Sequence, residues 1–162
     1  AGEDPGAIRL ADLNAAWTQW RCDQVSEVVA MVREVVASKR PGLLVGAAVT
    51  PQRLNVTTVF QEWKTWIQRD YIDVVYPMDY FGEDHALKVA LEWQRDGIDV
   101  QRIVPLLALY RREGGKTLPV TRDTLLRQVR LLEAEGFPGT GLFSNLRYTP
   151  ELADVLRAQW RH

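Results

Sequence analysis

Four short, almost uninterrupted apolar runs, each following a helical pattern, constrain this chain more than anything else in its sequence. The runs are residues 43–50 (LLVGAAVT), 72–80 (IDVVYPMDY), 102–110 (RIVPLLALY) and 139–145 (GTGLFSN). Continuous rather than alternating apolarity marks strands covered on both faces, the habit of parallel sheets. Val25, Val28, Val29, Val32 and Val36 recur at helical spacing and predict a helix over 17–39, ended by Lys39-Arg40-Pro41-Gly42. Further helices are predicted over 60–70, over 83–96 closed by Gly97, from Thr121 to Gly136, and after Thr149-Pro150. Each strand begins roughly 30 to 37 residues after the last, the length of a βα unit.

Strands alternating with helices imply a parallel sheet, either an open doubly wound sheet or an eight-stranded barrel. A barrel takes roughly 250 residues, so four units in 162 residues amount to half of one. An open-sheet nucleotide or phosphate binder should carry a Gly-rich loop after its first strand. Here that segment is Pro51-Gln52-Arg53-Leu54-Asn55, without glycine. Gly139-x-Gly141 precedes its strand rather than following it and reads as a strand entry, not a phosphate cradle.

Composition removes several classes of function. With 46% hydrophobic and 25% charged residues the chain is neither disordered nor collagen-like, and its longest apolar runs are too short to span a bilayer. A net charge of −1 lacks the basic excess that nucleic acid demands. One cysteine, Cys22, excludes an internal disulfide or a thiolate zinc cage and is expected to be a buried small hydrophobe; His85 and the terminal His162 make no metal cluster. No cofactor and no metal are called for. Residues 1–6 show no charged-then-apolar signal, so a cytoplasmic protein and an extracytoplasmic one after signal removal fit equally.

In either architecture a ligand meets the carboxyl ends of the strands. Three of those ends place a tyrosine near a charged or amide group: Tyr76 and Tyr80 with Asp79, Tyr110 with Arg111 and Arg112, and Tyr148 with Asn145 and Arg147. Aromatic faces beside hydrogen-bonding groups suit a sugar ring, which presents apolar C–H faces and a belt of hydroxyls. Asp79 stands out as a carboxylate ending an apolar strand, where burial would raise its pKa toward acid or base work. The competing reading is an Asx cap onto Phe81 or Gly82. Glu83 and Asp84 are expected in the first turn of the next helix. Trp17/Trp20 and Trp63/Trp66, each spaced i, i+3, are expected as core anchors.

Taken in order, Trp17-x-x-Trp20-Arg21-x-x-x-Val25, Arg40-Pro41-Gly42, Gln61-Glu62-Trp63-x-x-Trp66-Ile67 and Tyr71-Ile72-Asp73-Val74-Val75-Tyr76-Pro77-Met78-Asp79-Tyr80 resemble successive motifs of a glycoside-hydrolase-like barrel family, the family-10-like glycosyl hydrolases. The likeness covers residues 17–80 by motif and 81–160 by element order. Met78-x-Tyr80 is also similar to an element of chitinase-like barrels whose tyrosine helps hold substrate. The resemblance implies an α/β domain over 1–162: four consecutive βα units with parallel strands, matching strands five to eight, the second half, of a TIM (β/α)8 barrel. It implies a polysaccharide or peptidoglycan-type substrate, Asp79 as catalytic carboxylate, Tyr80 at the glycan-facing end of the sixth strand, and Arg21 near the site. Tyr76, Tyr110 and Asn145 complete the expected substrate-binding set.

Glycoside hydrolysis generally needs two carboxylates, ~5 Å apart for retention or ~6.5–9.5 Å for inversion. The family segment that would carry them matches nothing here, and Asp79 is the single strong candidate. Little or no turnover is therefore expected of the isolated chain. The alternative is a non-catalytic glycan-binding or scaffold domain on the same fold. Four parallel strands leave two unpaired edges, so the expected protein partner is a second copy, or an amino-terminal half.

Overall fold

The computed structural model of the chain describes residues 10–159. Residues 1–9, which include the segment 1–6 that shows no signal pattern, and residues 160–162 with His162 lie outside the described residues. In order, the elements are α1 (Leu10–Lys39), β1 (Gly46–Val49), α2 (Arg53–Val59), α3 (Trp63–Gln68), β2 (Val74–Asp79), α4 (Asp84–Arg95), β3 (Leu106–Ala108), β4 (Tyr110–Glu113), β5 (Lys116–Pro119), α5 (Arg122–Ala134), β6 (Gly141–Phe143) and α6 (Pro150–Gln159). The predicted alternation holds, and the strands are shorter than the apolar runs containing them. Three elements depart from the sequence expectation. The stretch after Pro51 forms α2, and the third strand continues into an antiparallel hairpin, β4–β5. Its turn, Gly114-Gly115, has φ of 55° and 75°, the paired positive values of a two-residue hairpin loop.

The four central strands are parallel in the order β1-β2-β3-β6, each beside its predecessor. A doubly wound sheet reverses its order at a switch point; this one does not. Alternation along each strand then separates two faces. Val49, Val75 and Leu107, all fully buried, lie in one core with Trp63 and Trp66 of α3, Leu87 and Leu91 of α4, Leu125, Val129 and Leu132 of α5, and Leu152 of α6. Burial of each large apolar side chain contributes about 1.5–3 kcal/mol, so this face carries most of the fold's stability. On the opposite face small and large residues interdigitate. A Cβ on Gly46 would stand 2.8 Å from Tyr76 Cε2, and one on Gly141 would collide with the Leu106 side chain.

A clamp at the amino ends of the strands fixes their register. The Val45 N–H donates to Asp73 Oδ2 at 2.6 Å, and Arg33 of α1 pairs with the same oxygen at 2.8 Å. Burial pushes the Asp73 pKa up, but these two contacts and the Arg102 charge outweigh it and hold the carboxyl below its ordinary value. Arg102 also donates to the carbonyls of Asp73 and Ile72.

The long helix corrects two expectations. Cys22 is buried, and Val25, Val29 and Val36 pack against the core. Val28 and Val32, expected in the same stripe, are 55% and 46% exposed. With Leu13, Trp17, Trp20, Met31 and Val35 they form a second, uncovered apolar face on α1. Trp17 and Trp20 are therefore not core anchors; they stack on each other at 4.9 Å in the open, whereas Trp63 and Trp66 are buried as expected. The reason is geometric. At 100° per residue the five valines span an arc of about 100°, but Trp17, Trp20, Met31 and Val35 widen the apolar arc to about 180°, and a single sheet covers only one side of it. Among the described residues no helix is long and apolar enough to cross a membrane.

Candidate functional site

Consecutive parallel strands end at a common edge, so the residues just beyond β2, β3 and β6 come together there. Met78 is in register with Leu106, and Ala108 with Phe143. Stepping by two from Met78 and Ala108 reaches Tyr80 and Tyr110, which continue the rows facing away from the helices. The result is a three-ring cluster. Tyr80 stacks on Phe143 at 5.2 Å with 17° between planes, and Tyr110 lies 6.3 Å from each. Tyr80, Gly82 and Tyr110 border a cavity of about 470 Å³ with Arg111 and Arg112 of the β4–β5 hairpin. Burial, with the neighbouring Tyr110, pushes the Tyr80 phenol above its ordinary pKa, so it stays a neutral donor at physiological pH.

Asp79 is separated from this cluster by the pleat of its own strand. Successive residues of a strand face opposite sides, so Asp79 and Tyr80 cannot share one. The Asp79 side chain is wholly buried on the helix side, where Oδ1 accepts from Gln94 Nε2 at 2.8 Å. The Asx bond to Phe81 or Gly82 is not formed; Gln94 of α4 takes its place. Gln94 also donates to the Pro51 carbonyl, joining the ends of β1 and β2 to α4. Asp79 Oδ2 and Gln94 Oε1 are both buried without a partner. Burial drives the Asp79 pKa well above its ordinary value, with the Gln94 hydrogen bond a lesser opposing effect. The expected upward shift is present; its owner lies behind the aromatic cluster.

The other expected residues divide. Tyr76 lies on the open face in the row of Tyr80 but four residues deeper along the strand, over Gly46. Asn145 is exposed at the head of a short 3-10 turn, Asn145–Arg147, two residues beyond Phe143 at the same rim. Arg21 is in the helix layer, its guanidinium 4.0 Å over the Phe60 ring and 5.3 Å over Trp17. The structure thus brings Tyr80 and Tyr110 together, keeps Tyr76 and Asn145 at the margins, and does not bring Arg21 or Asp79 to the rings. Phe143 was missed as a site residue. Its place as the last residue of a strand was the available signal.

A second cavity, about 350 Å³, lies among α2, α3 and α4 and includes Arg53, Glu62, Trp63, Lys64 and Trp93. Its chief polar group is already used: the Lys64 ammonium donates to the carbonyls of Trp93 and Asp96 and sits 4.6 Å over the Trp93 ring. It is a seam between helices, away from the strand ends.

The sequence matches the family described as Glycosyl hydrolase-like 10 over residues 3–106. Among solved structures, the chain is similar to the PgaB (BpsB) glycoside hydrolase domain from Bordetella bronchiseptica, with a TM-score of 0.67 and 16% identity. The likeness covers 98% of this chain and 46% of that one, so the chain spans about half the length of the domain it resembles. At that identity the match shows the fold: four βα units arranged as part of a TIM barrel. No curated protein matches the chain.

Proposed function

The chain belongs to the glycosyl hydrolase-like 10 family, and from that premise we propose that it holds a polysaccharide or peptidoglycan-type glycan against Tyr80, Tyr110 and Phe143. One observation carries this reading: three aromatic rings from three adjacent strand ends converge on the open face of the sheet, beside a cavity. Ring faces bind the C–H faces of a sugar, and the phenol and guanidinium groups at the rim answer its hydroxyls. Tyr76 extends the platform inward and Asn145 outward.

For this chain alone we favour holding over hydrolysis. Among the described residues, those bordering the cavity include no carboxylate, and hydrolysis generally requires two. Asp79, buried behind the rings, acts in this reading by pinning β2 to α4. Titration calorimetry with soluble oligosaccharides, together with an assay of reducing ends, tests both parts. Binding that falls in Tyr80→Ala and Phe143→Ala, without release of sugars, is the expected result. Release abolished in Asp79→Asn would refute the non-catalytic part; failure of every glycan to bind would refute the whole.

We also propose that the uncovered face of α1 and the free edge of β1 form an interface. β1 pairs only with β2 among the described strands. In a complete barrel this side would meet the remaining strands; for this chain in isolation a second copy would cover it.

A further inference from the structure

We infer that the cavity beside Tyr80 and Tyr110 takes an acidic glycan, with a sugar carboxylate held by Arg112. The inference deepens the glycan reading and rests on it. Among the described residues the cavity is bordered by two arginines, two tyrosines and a glycine, and by no acid. Arg111 is already engaged by Glu113 across one face of the hairpin. Arg112, one residue on, points to the other face of the strand, and among the described residues no carboxylate pairs with it. The nearest acids on the adjoining loop are Glu83, which is exposed at the head of α4 and does not border the cavity, and Asp84, which accepts from Arg127 at 2.9 Å. A positive group therefore faces the cavity with no internal counter-ion.

Its chemistry selects among glycans. Neutral sugars need donors and acceptors in balance, whereas a wall of guanidinium and phenol supplies mostly donors. Guanidinium forms paired, charge-assisted hydrogen bonds with a planar carboxylate. The hairpin that carries Arg112 is held by its ladder from Tyr110↔Pro119 to Glu113↔Lys116, and Tyr110 itself belongs to the ring cluster. The strand that carries the cation is thereby fixed relative to the aromatic platform. A sugar stacked on the rings can present an acidic substituent to Arg112 while its hydroxyls meet Tyr80 and Tyr110.

The test compares a galacturonate oligosaccharide with a neutral gluco-oligosaccharide of equal length, by calorimetry, on the full chain and on Arg112→Gln and Arg112→Lys, with circular dichroism confirming that each variant folds. Affinity about tenfold higher for the acidic oligosaccharide is expected, as one charge-assisted pair provides. Arg112→Gln should remove that preference, bringing the acidic oligosaccharide down to the affinity of the neutral one, and Arg112→Lys should restore part of it. Equal affinity for both oligosaccharides, or an acidic preference untouched by Arg112→Gln, overturns the inference while leaving the glycan reading in place. Binding of neither overturns both.

Discussion

Replacing Asp79 by asparagine should stabilise this protein, and by more as the pH rises. The side chain is fully buried, with one hydrogen bond from Gln94 and two oxygens, Asp79 Oδ2 and Gln94 Oε1, that lack a donor. A neutral carboxyl brings the missing donor; a carboxylate does not. Burial accordingly raises the folded pKa well above the ordinary 3.8. A raised acid binds its proton more tightly in the folded state than in the unfolded state. Its contribution is therefore intact below the unfolded pKa and is lost as pH climbs from there toward the folded value. The loss runs at about 1.4 kcal/mol per pH unit while the folded carboxyl stays protonated and the unfolded one is ionised. Asparagine keeps an acceptor oxygen for Gln94 Nε2 and offers an N–H donor in place of the acid's O–H, and it does not titrate. Above the unfolded pKa the variant should thus gain on the parent by about 1.4 kcal/mol for each pH unit over which the folded carboxyl stays protonated, all other titrations cancelling in the difference. Urea unfolding followed by tryptophan fluorescence at several pH values measures this directly. Parallel stability–pH curves for the two proteins, or a variant less stable by a constant amount, would refute the reasoning, because Asp79 would then be ionised in the fold.

Other expectations follow from the same contacts. Asp73→Ala should cost about 1–2 kcal/mol at neutral pH by freeing the Val45 N–H and Arg33; because the Asp73 pKa is held low, the deficit should fade in acid as the carboxyl protonates below its ordinary 3.8. Gly141→Val should destabilise by about 1–3 kcal/mol, since its Cβ position is occupied by Leu106, and thermal unfolding would show it. Trp20→Ala should leave glycan affinity unchanged while Phe143→Ala lowers it about tenfold, because Trp20 stacks with Trp17 on α1 and only Phe143 belongs to the ring cluster; equal losses would refute the site. Light scattering on the chain should return about twice 18.5 kDa, falling to the monomer in Met31→Lys. A parent that is already monomeric would refute the second copy as occupant of the α1 face.

Most of the architecture was legible because it depends on local pattern. Continuous apolar runs separated by helical periods could only become covered parallel strands, and caps such as Thr121, whose hydroxyl accepts from the Thr124 N–H at 3.2 Å, mark where helices begin. The hairpin is marked in sequence as well, by the Gly114-Gly115 pair, whose positive φ values suit a two-residue loop. The partition of α1 was not legible. Val25 and Val28 are the same residue type in the same repeat, and only the position of the sheet makes one covered and the other exposed.

The site divides the same way. That an aromatic and hydrogen-bonding end would meet a ligand followed from sequence, because parallel strands present their carboxyl ends together. The separation of Asp79 from Tyr80 also followed in principle, since neighbours on a strand face opposite sides. Which side was open required the packing of α3, α4 and α5 against Val75 and Leu107. The encounter of Tyr80, Tyr110 and Phe143, residues up to 63 positions apart, was decided by inter-strand register alone. The pairing of Asp79 with Gln94 was decided by the packing of α4 on β2. Local sequence determines which residues can lie on a strand or helix face, because dihedral preference and periodicity are short-ranged; which faces meet is decided by tertiary burial, which selects among them.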